Sequence, residues 1–244
     1  MTSADLPQSL RITHCSDIHL EGDQYSEEHY KDGFMRVLDV AQRNSSQLLM
    51  VAGDLFDTNR TSDDTLQWAM NALAQQPLPV AMIPGNHDCM VPGGNFYRYD
   101  FDALPNVEMI TSLEGEVRRF DALGLAVWGK AMVEHCAEYR PIADIPQRPD
   151  SAQWFLGMGH GIYVPDERES DRSSPVHQHE IAASPCDYIA LGHHHAALEV
   201  HADQTAAAYS GSPTDLIGKG ATYAIIDLSL TQSPRVEIRL LAGD

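Results

Sequence analysis

The sequence predicts an α/β fold, in the form of a four-layer α/β/β/α sandwich of two mixed sheets. Apolar runs of strand length alternate with amphipathic helical patterns through the first half of the chain, an order that favours parallel neighbours in one sheet. The second half is richer in strand patterns. Their number exceeds what one open sheet easily holds, so we expect two packed sheets flanked by helices.

The first half is predicted as strand, helix, strand, helix, strand. Tyr25–Arg43 is expected to form the first helix because its apolar residues recur at helical spacing. The second helix, at 62–75, begins near Ser62 or Asp63, either of which can cap it. The three strands are expected at 10–15, 47–51 and 79–83.

The second half carries shorter candidate strands. They are expected at 107–110, 116–120, 124–129, 153–158, 187–191, 197–201, 206–210, 222–229 and 235–241. Among them, Tyr163–Pro185 is polar with scattered charges. This segment is expected to be a loop, which either moves over a binding site or is simply solvated.

The length of the chain limits the number of domains, and its apolar runs indicate where the protein is located. Residues 1–244 are enough for one large domain with a sizeable core, and a single domain is expected. The N-terminus lacks the layout of a signal peptide, and no apolar run approaches the roughly 20 residues of a membrane span. The sequence therefore predicts a cytoplasmic protein that does not bind membranes. Its four cysteines form no C-x-x-C pair and are expected to be reduced thiols.

The charge balance argues against a broad nucleic-acid interface. Lysine and arginine number 16 against 35 aspartates and glutamates, which gives a formal net charge of −19. Proteins that hold duplex DNA through its phosphates carry a basic face. The balance favours a small substrate or a locally focused binding site.

Residues of metal-binding type follow the apolar runs, at the places where predicted strands end. In chain order they are Asp17, His19, Asp54, Asn86, His160, His193 and His195. The carboxyl ends of strands are where α/β folds place their ligands. This is a set of oxygen and nitrogen donors that can bind two metal ions sharing one carboxylate. Such mixed ligation suits Mn, Fe or Zn better than Ca or Mg. Mn is the metal expected first.

The five short blocks that contain these residues resemble the calcineurin-like metallophosphoesterase superfamily, whose pattern is D-x-H, G-D, G-N-H-D, G-H and G-H-x-H. The resemblance implies that Asp54 bridges two metal ions. It further implies one site completed by Asp17, His19 and His195, and another completed by Asn86, His160 and His193. On extended segments side chains alternate, so both members of D-x-H and of H-x-H are expected to face the metals while His194 faces away.

The resemblance also implies the chemistry. Two metal ions clamp a phosphate and lower the pKa of a water between them, so the expected reaction is hydrolysis of a phosphate ester by a metal-bridging hydroxide. Asn86 and His87 are expected to contact the substrate, with His87 donating a proton or hydrogen bond to the leaving group. Asp57 matches the aspartate that orients this histidine in the Ser/Thr protein phosphatase branch. The alternative for Asp57 is a turn residue.

Beyond the metal blocks, the chain is most similar to the SbcD-like DNA repair exonucleases. The shared details are His14–Leu20, Gly53–Asp57, Asp187–His193 and Tyr209–Pro213, with Lys219-Gly220 before the next strand. Three features depart from that branch: Asp57 stands where a histidine is frequent, the net charge is acidic, and no DNA-capping domain is expected because the sequence stops at Asp244.

The expected function is therefore that of a dinuclear-metal phosphodiesterase or phosphatase acting on a small or nucleotide-type ester. One alternative is an exonuclease whose partner supplies the basic surface. A remote alternative is an inactive scaffold of the retromer type, which the complete set of motif residues disfavours.

The remaining histidines and cysteines carry no motif. His14 is expected in the core or behind the metal ligands, and His135 is assigned no role. His177 and His179 are either solvated or near the substrate. Cys15 and Cys89 lie close in sequence to expected ligands and could either approach the metals or act as small buried side chains.

Overall fold

Two six-stranded mixed sheets stack face to face in the computed structural model, which describes residues 6–165 and 172–241. The first part of the chain contains β1 (Ser9–Cys15), α1 (Glu27–Arg43), β2 (Leu48–Ala52), α2 (Asp63–Ala74), β3 (Val80–Ile83), α3 (Asn95–Arg98) and β4 (Val107–Met109). The second part contains β5 (Glu116–Phe120), β6 (Leu125–Gly129), β7 (Trp154–His160), β8 (Ile162–Val164), β9 (Pro175–His177), α4 (Gln178–Ala183), β10 (Tyr188–Gly192), β11 (Leu198–Ala202), β12 (Thr205–Tyr209), β13 (Thr222–Ser229) and β14 (Gln232–Leu240).

The first sheet has the strand order β14-β13-β1-β2-β3-β4. Strands β1 to β4 are parallel, as the alternation of strands and helices predicted, and β13 joins β1 antiparallel. Strand β2 is buried along its whole length and is wholly apolar, which is typical of a strand covered on both faces. Residues at the carboxyl ends of β1, β2 and β3 therefore meet at one edge of the sheet.

The second sheet has the order β11-β12-β10-β7-β6-β5, with β11 and β5 antiparallel at its edges. Apolar side chains from both sheets form the central layer, and helices α1 and α2 cover the outer face of the first sheet. The outer face of the second sheet is covered by α4 and by apolar residues of the segment between β6 and β7. The predicted fold class is confirmed, with an outer layer on the second sheet that is mostly irregular.

Sequence signals placed helices α1 and α2 within two residues of their observed ends, whereas β14 begins three residues before its predicted start. Helix α2 begins after Ser62, whose side chain accepts a hydrogen bond from the amide of Thr65, so Ser62 rather than Asp63 is the cap. Helix α1 begins after a similar cap at Ser26. No helix in the described parts of the chain is long and apolar enough to cross a membrane.

The prediction of a loop over Tyr163–Pro185 was wrong for most of the described residues of that segment. Strands β8 and β9 pair in parallel there, α4 follows, and Val176 and Ile181 are buried. These elements are three to six residues long, too short for a hydrophobic period to show in the sequence. Residues 166–171 lie outside the described residues.

Candidate metal centre

The seven expected ligands come together at one end of the two stacked sheets. Asp17, Asp54 and Asn86 follow β1, β2 and β3 of the first sheet, whereas His160 ends β7 and His193 follows β10 in the second. Three groups of donor atoms form, each with all its atoms within 4.8 Å of one another: Asp17, His19 and His195; Asp54, His160 and His193; and His19, Asp54 and His87.

The expected ligands reach the centre from turns and not from extended segments, although both members of D-x-H and of H-x-H face it as expected. Asp17, His19 and Asp54 have φ angles of 56°, 55° and 52°, and His193 has 97°, all in the left-handed region that non-glycine residues seldom adopt. The strands have already ended at these positions, so alternation along a strand does not set the direction of the side chains. Left-handed backbone at several neighbouring residues is typical of functional sites.

Two glycines allow the strand ends to approach this closely. A Cβ on Gly85 would lie 2.1 Å from Oδ1 of Asp54. A Cβ on Gly192 would lie 1.9 Å from the carbonyl oxygen of Ala52 and 2.7 Å from Nδ1 of His160. The glycines of the G-N-H-D and G-H-x-H blocks are therefore required by close contact between the strand ends.

Asp54 occupies the middle of the centre and is almost completely buried. Its Oδ2 lies 3.2 Å from Nε2 of His160 and 3.6 Å from Nε2 of His19, and its Oδ1 accepts a hydrogen bond of 2.8 Å from the amide of His87. Burial alone would raise the pKa of Asp54, but the neighbouring histidines, above all His160, outweigh burial and lower it. One carboxylate thus faces histidines from two of the donor groups.

The first donor group surrounds Asp17, which is fully buried. Its Oδ1 lies 3.8 Å from Nε2 of His195, its carboxylate accepts hydrogen bonds of 3.1 Å from the amide of His193, and Ser16 Oγ donates to Oδ2 at 2.5 Å. Nε2 of His19 is buried and has no hydrogen-bond partner among the described residues. A buried polar atom without a partner calls for an explanation. A cation bound among Asp17, His19 and His195 would supply that partner.

The second donor group is held around the side-chain oxygen of Asn86. Oδ1 of Asn86 lies 3.0 Å from Nε2 of His160 and 2.7 Å from Nδ1 of His193. Nδ1 of His160 donates to the carbonyl oxygen of Ala52 at 2.8 Å, which directs Nε2 into the centre. Such a fixed tautomer is usual for histidines that bind metals.

The donor atoms fit two transition-metal ions. Carboxylate and amide oxygens and imidazole nitrogens are mixed here, which suits first-row transition metals. In the ion-free protein burial alone would lower the pKa of His160, but Asp54 outweighs burial and raises it to about 9, whereas burial lowers the pKa of His193 to about 3. A proton on His160 occupies a place that a cation would take, so loading with metal releases protons.

Asp57 contacts two histidines in different ways. Its carboxylate Oδ1 lies 2.8 Å from Nδ1 of His19 and 3.7 Å from Nδ1 of His87, while its carbonyl oxygen accepts a 2.7 Å hydrogen bond from that His87 nitrogen. The Asp57 carbonyl is the group hydrogen-bonded to His87, and the Asp57 carboxylate lies closer to His19 than to His87, so orientation of His87 by that carboxylate stays a prediction. The side chain of His87 is 41% exposed, so its Nε2 can meet a ligand from solvent.

The other polar residues singled out from the sequence lie around this centre or away from it. Cys15 is buried in the core and Cys89 accepts a hydrogen bond from Asn59, so within the described residues neither joins a donor group. His194 is exposed and bonds the carbonyl of Ala196. His177 and His179 stack on each other, with ring centroids 5.2 Å apart.

Sequence reasoning placed His14 in the core or behind the metal ligands and assigned no role to His135. His14 is buried on β1, with Nδ1 2.8 Å from the hydroxyl of Tyr188 in the other sheet. The ring of His135 lies 4.8 Å from that of His193. A single histidine outside any motif block carries no signal of such a position in the sequence.

The chain belongs to the calcineurin-like phosphoesterase family, whose model matches residues 10–197. It is 27% identical over 227 residues to the metallophosphoesterase YhaO of Bacillus subtilis, covering 83% of this chain and 53% of that protein. It is 26% identical over 215 residues to the DNA double-strand break repair protein Mre11 of Saccharolobus solfataricus, covering 84% of this chain and 54% of that protein. The similarity to Mre11 agrees with the branch expected from the sequence.

The chain thus spans about half the length of these curated relatives. Among solved structures, TT1561 of Thermus thermophilus superimposes with a TM-score of 0.62 at 12% identity, over 96% of this chain and 99% of that one. This likeness shows that the fold is shared.

Proposed function

We propose that the protein is a dinuclear-metal phosphodiesterase for small or nucleotide-type esters. The observation that carries this proposal is the buried carboxylate of Asp54, whose Oδ2 lies within 3.6 Å of histidines from two donor groups. Asp17, His19 and His195 would hold one ion, and Asn86, His160 and His193 the other, with Asp54 between them. Manganese is the expected metal, and iron or zinc would also fit this donor set.

The bound ions would supply positive charge for the phosphoryl oxygens and an acidified water. Asn86 and His87 of the protein would bind the phosphoryl group and assist the leaving group. Oδ1 of Asn86 faces the ligand histidines, which leaves its amide hydrogens for a phosphoryl oxygen. His87 is fixed at Nδ1 by the carbonyl of Asp57, so its Nε2, when protonated, can donate to the leaving oxygen.

A DNA-cleaving activity is the second candidate. The 26% identity to a DNA double-strand break repair protein supports it. The net charge of −19 works against unaided DNA binding, because phosphate contacts need cationic side chains. This candidate therefore requires a partner, or a further segment of chain, that supplies a basic surface.

A substrate panel with metal quantification tests the proposal. The protein is loaded with Mn, Fe or Zn, its metal content is measured, and turnover is compared for bis(p-nitrophenyl) phosphate, p-nitrophenyl phosphate, cyclic nucleotides and single-stranded DNA. We expect about two metal ions per chain and the highest kcat/KM for a small diester. Asp54→Asn should lose metal and turnover on every substrate, while Asp227→Asn, which lies beside Arg11 toward the amino end of β1, should lose neither.

Faster cleavage of DNA than of every small ester would favour the second candidate. A protein that binds no transition metal, or that binds it and turns over nothing, would overturn the proposal and favour a scaffold.

A further inference from the structure

His135 is placed beside the metal centre without belonging to any donor group of the described residues. It lies in the segment between β6 and β7, and its side chain is half-buried. Its ring centroid is 4.8 Å from that of His193, with the two planes inclined by 36°. The imidazole therefore lies beside the donor group of Asp54, His160 and His193.

Ser174 holds this ring in place. Nδ1 of His135 lies 2.8 Å from Ser174 Oγ, and the amide of Ser174 donates to the carbonyl of Cys136 at 2.7 Å. Ser174 is fully buried, and its own carbonyl accepts a 2.9 Å hydrogen bond from Ile162, two residues beyond the ligand His160. The position of His135 is thereby linked to the start of β8, just beyond the expected ligand His160.

This arrangement mirrors that of His87 on the other side of the centre. The ring of His87 lies 4.5 Å from that of His19, just as the ring of His135 lies beside His193. Each half of the centre thus has one neighbouring imidazole that is not an expected ligand. In both rings Nδ1 is bonded to a fixed group of the protein.

The bond to Ser174 engages Nδ1 of His135 and leaves Nε2 as the free nitrogen. A serine hydroxyl can donate to Nδ1, and a neutral imidazole that accepts there carries its proton on Nε2. Among the described residues His135 has no other hydrogen-bond partner. With Ser174 as the donor, Nε2–H of His135 is free to donate to an acceptor beside the centre.

We propose that His135 binds a phosphoryl oxygen of the substrate from the His193 side of the centre, opposite His87. This inference rests on the proposed function, because it takes the ligand to be a phosphate ester. The expected role is substrate binding through one hydrogen bond to an anion, with Ser174 as the positioning residue.

His135→Phe tests the inference, because it keeps a ring against His193 and removes the donor. Binding of inorganic phosphate to the Mn-loaded protein is measured by calorimetry, together with KM and kcat for bis(p-nitrophenyl) phosphate. A lost hydrogen bond to a charged group should weaken phosphate binding about tenfold or more and raise KM similarly. Metal content and thermal stability should stay those of the wild type. Ser174→Ala should show a smaller change in the same direction.

His201→Phe is the matched control, since His201 is a largely exposed histidine on β11. It should leave phosphate binding, KM and metal content unchanged. A His135→Phe protein that loads fully with Mn and keeps phosphate affinity and KM within about twofold would overturn the inference. Loss of metal from His135→Phe would also overturn it, because His135 would then support the ligands instead of the substrate.

The two proposals can fail separately. Phosphate binding that depends on His135 in a protein that turns over no ester would support the inference and overturn the proposed function. Ester hydrolysis that is unchanged in His135→Phe would support the proposed function and overturn the inference. A Mn-loaded wild type that binds no phosphate and turns over no ester would overturn both.

Discussion

Asp57 connects His19, a proposed metal ligand, with His87, which is proposed to face the leaving group. Its carboxylate contacts Nδ1 of His19, and its carbonyl contacts Nδ1 of His87. The hydrogen bond with His19 is the main cause that lowers the pKa of Asp57, so the carboxylate is charged at neutral pH. A charged carboxylate behind a metal-binding imidazole increases the basicity of that ligand.

Asp57→Asn is therefore expected to weaken metal binding and to leave the orientation of His87 intact. Loss of such a supporting carboxylate typically costs about 10- to 100-fold in metal affinity or activity. Titration with Mn should show this loss, and excess Mn should restore most of kcat. Unchanged Mn affinity with a kcat that excess metal does not restore would show that the carboxylate acts on His87 instead.

His87→Ala should act on the leaving group alone. General acid catalysis typically contributes about 10²- to 10⁴-fold, and it contributes most when the leaving oxygen is basic. The variant should hydrolyse bis(p-nitrophenyl) phosphate with a modest loss and an alkyl-substituted diester with a large one. Equal loss on both substrates, at unchanged metal content, would count against a role as acid.

At the scale of elements, His14 on β1 and Tyr188 on β10 join the two sheets through a buried polar contact. Burial lowers the pKa of His14 to about 3, against a usual value of 6.5. Below pH 6.5 His14 becomes protonated in the unfolded chain but stays neutral in the folded protein. The free energy of unfolding therefore falls as the pH drops from 6.5 toward 3, and this contribution is absent above pH 6.5.

His14→Gln, which cannot titrate, tests this dependence in metal-free protein kept in chelator. One unit of pKa difference corresponds to about 1.4 kcal/mol, so His14 should account for about 2 kcal/mol of the stability lost between about pH 7 and about pH 5. Urea unfolding at the two pH values should show a smaller loss for the variant by that amount. An equal loss in both proteins would mean that His14 is protonated in the fold.

At the scale of the whole molecule, the metal centre lies where the two sheets meet. Its donors come from β1, β2 and β3 of one sheet and from β7 and β10 of the other. Bound ions would therefore link the two sheets in addition to neutralising Asp17 and Asp54, which are buried. Ligands that bind only the folded state stabilise it in proportion to the logarithm of their concentration.

Removal of metal should lower the melting temperature. Metal at about 100 times its Kd adds about 2.7 kcal/mol to the free energy of unfolding. For a protein of this size that raises the melting temperature by about 5–10 °C. Thermal melts in Mn and in chelator measure the shift, and Asp54→Asn should show none. Identical melting of the wild type in both conditions would argue against a centre that binds ions tightly.

The sequence by itself determined the class of fold and the residue types of the centre. Helices α1 and α2 are long enough for their period to show, and Asp17, Asp54 and His160 each end an apolar run. Strands β8 and β9 were missed because three residues carry no period.

Only the tertiary structure decided which of these residues touch. His135 and Ser174 are 39 positions apart, and His14 and Tyr188 are 174 apart, so neither contact leaves a local pattern. The contacts of Asp57 depend on the left-handed turns at His19 and Asp54, which set where each ring points. Spacing along the chain specifies which strand end a residue follows, but the direction of its side chain is fixed by backbone angles and by packing between the sheets.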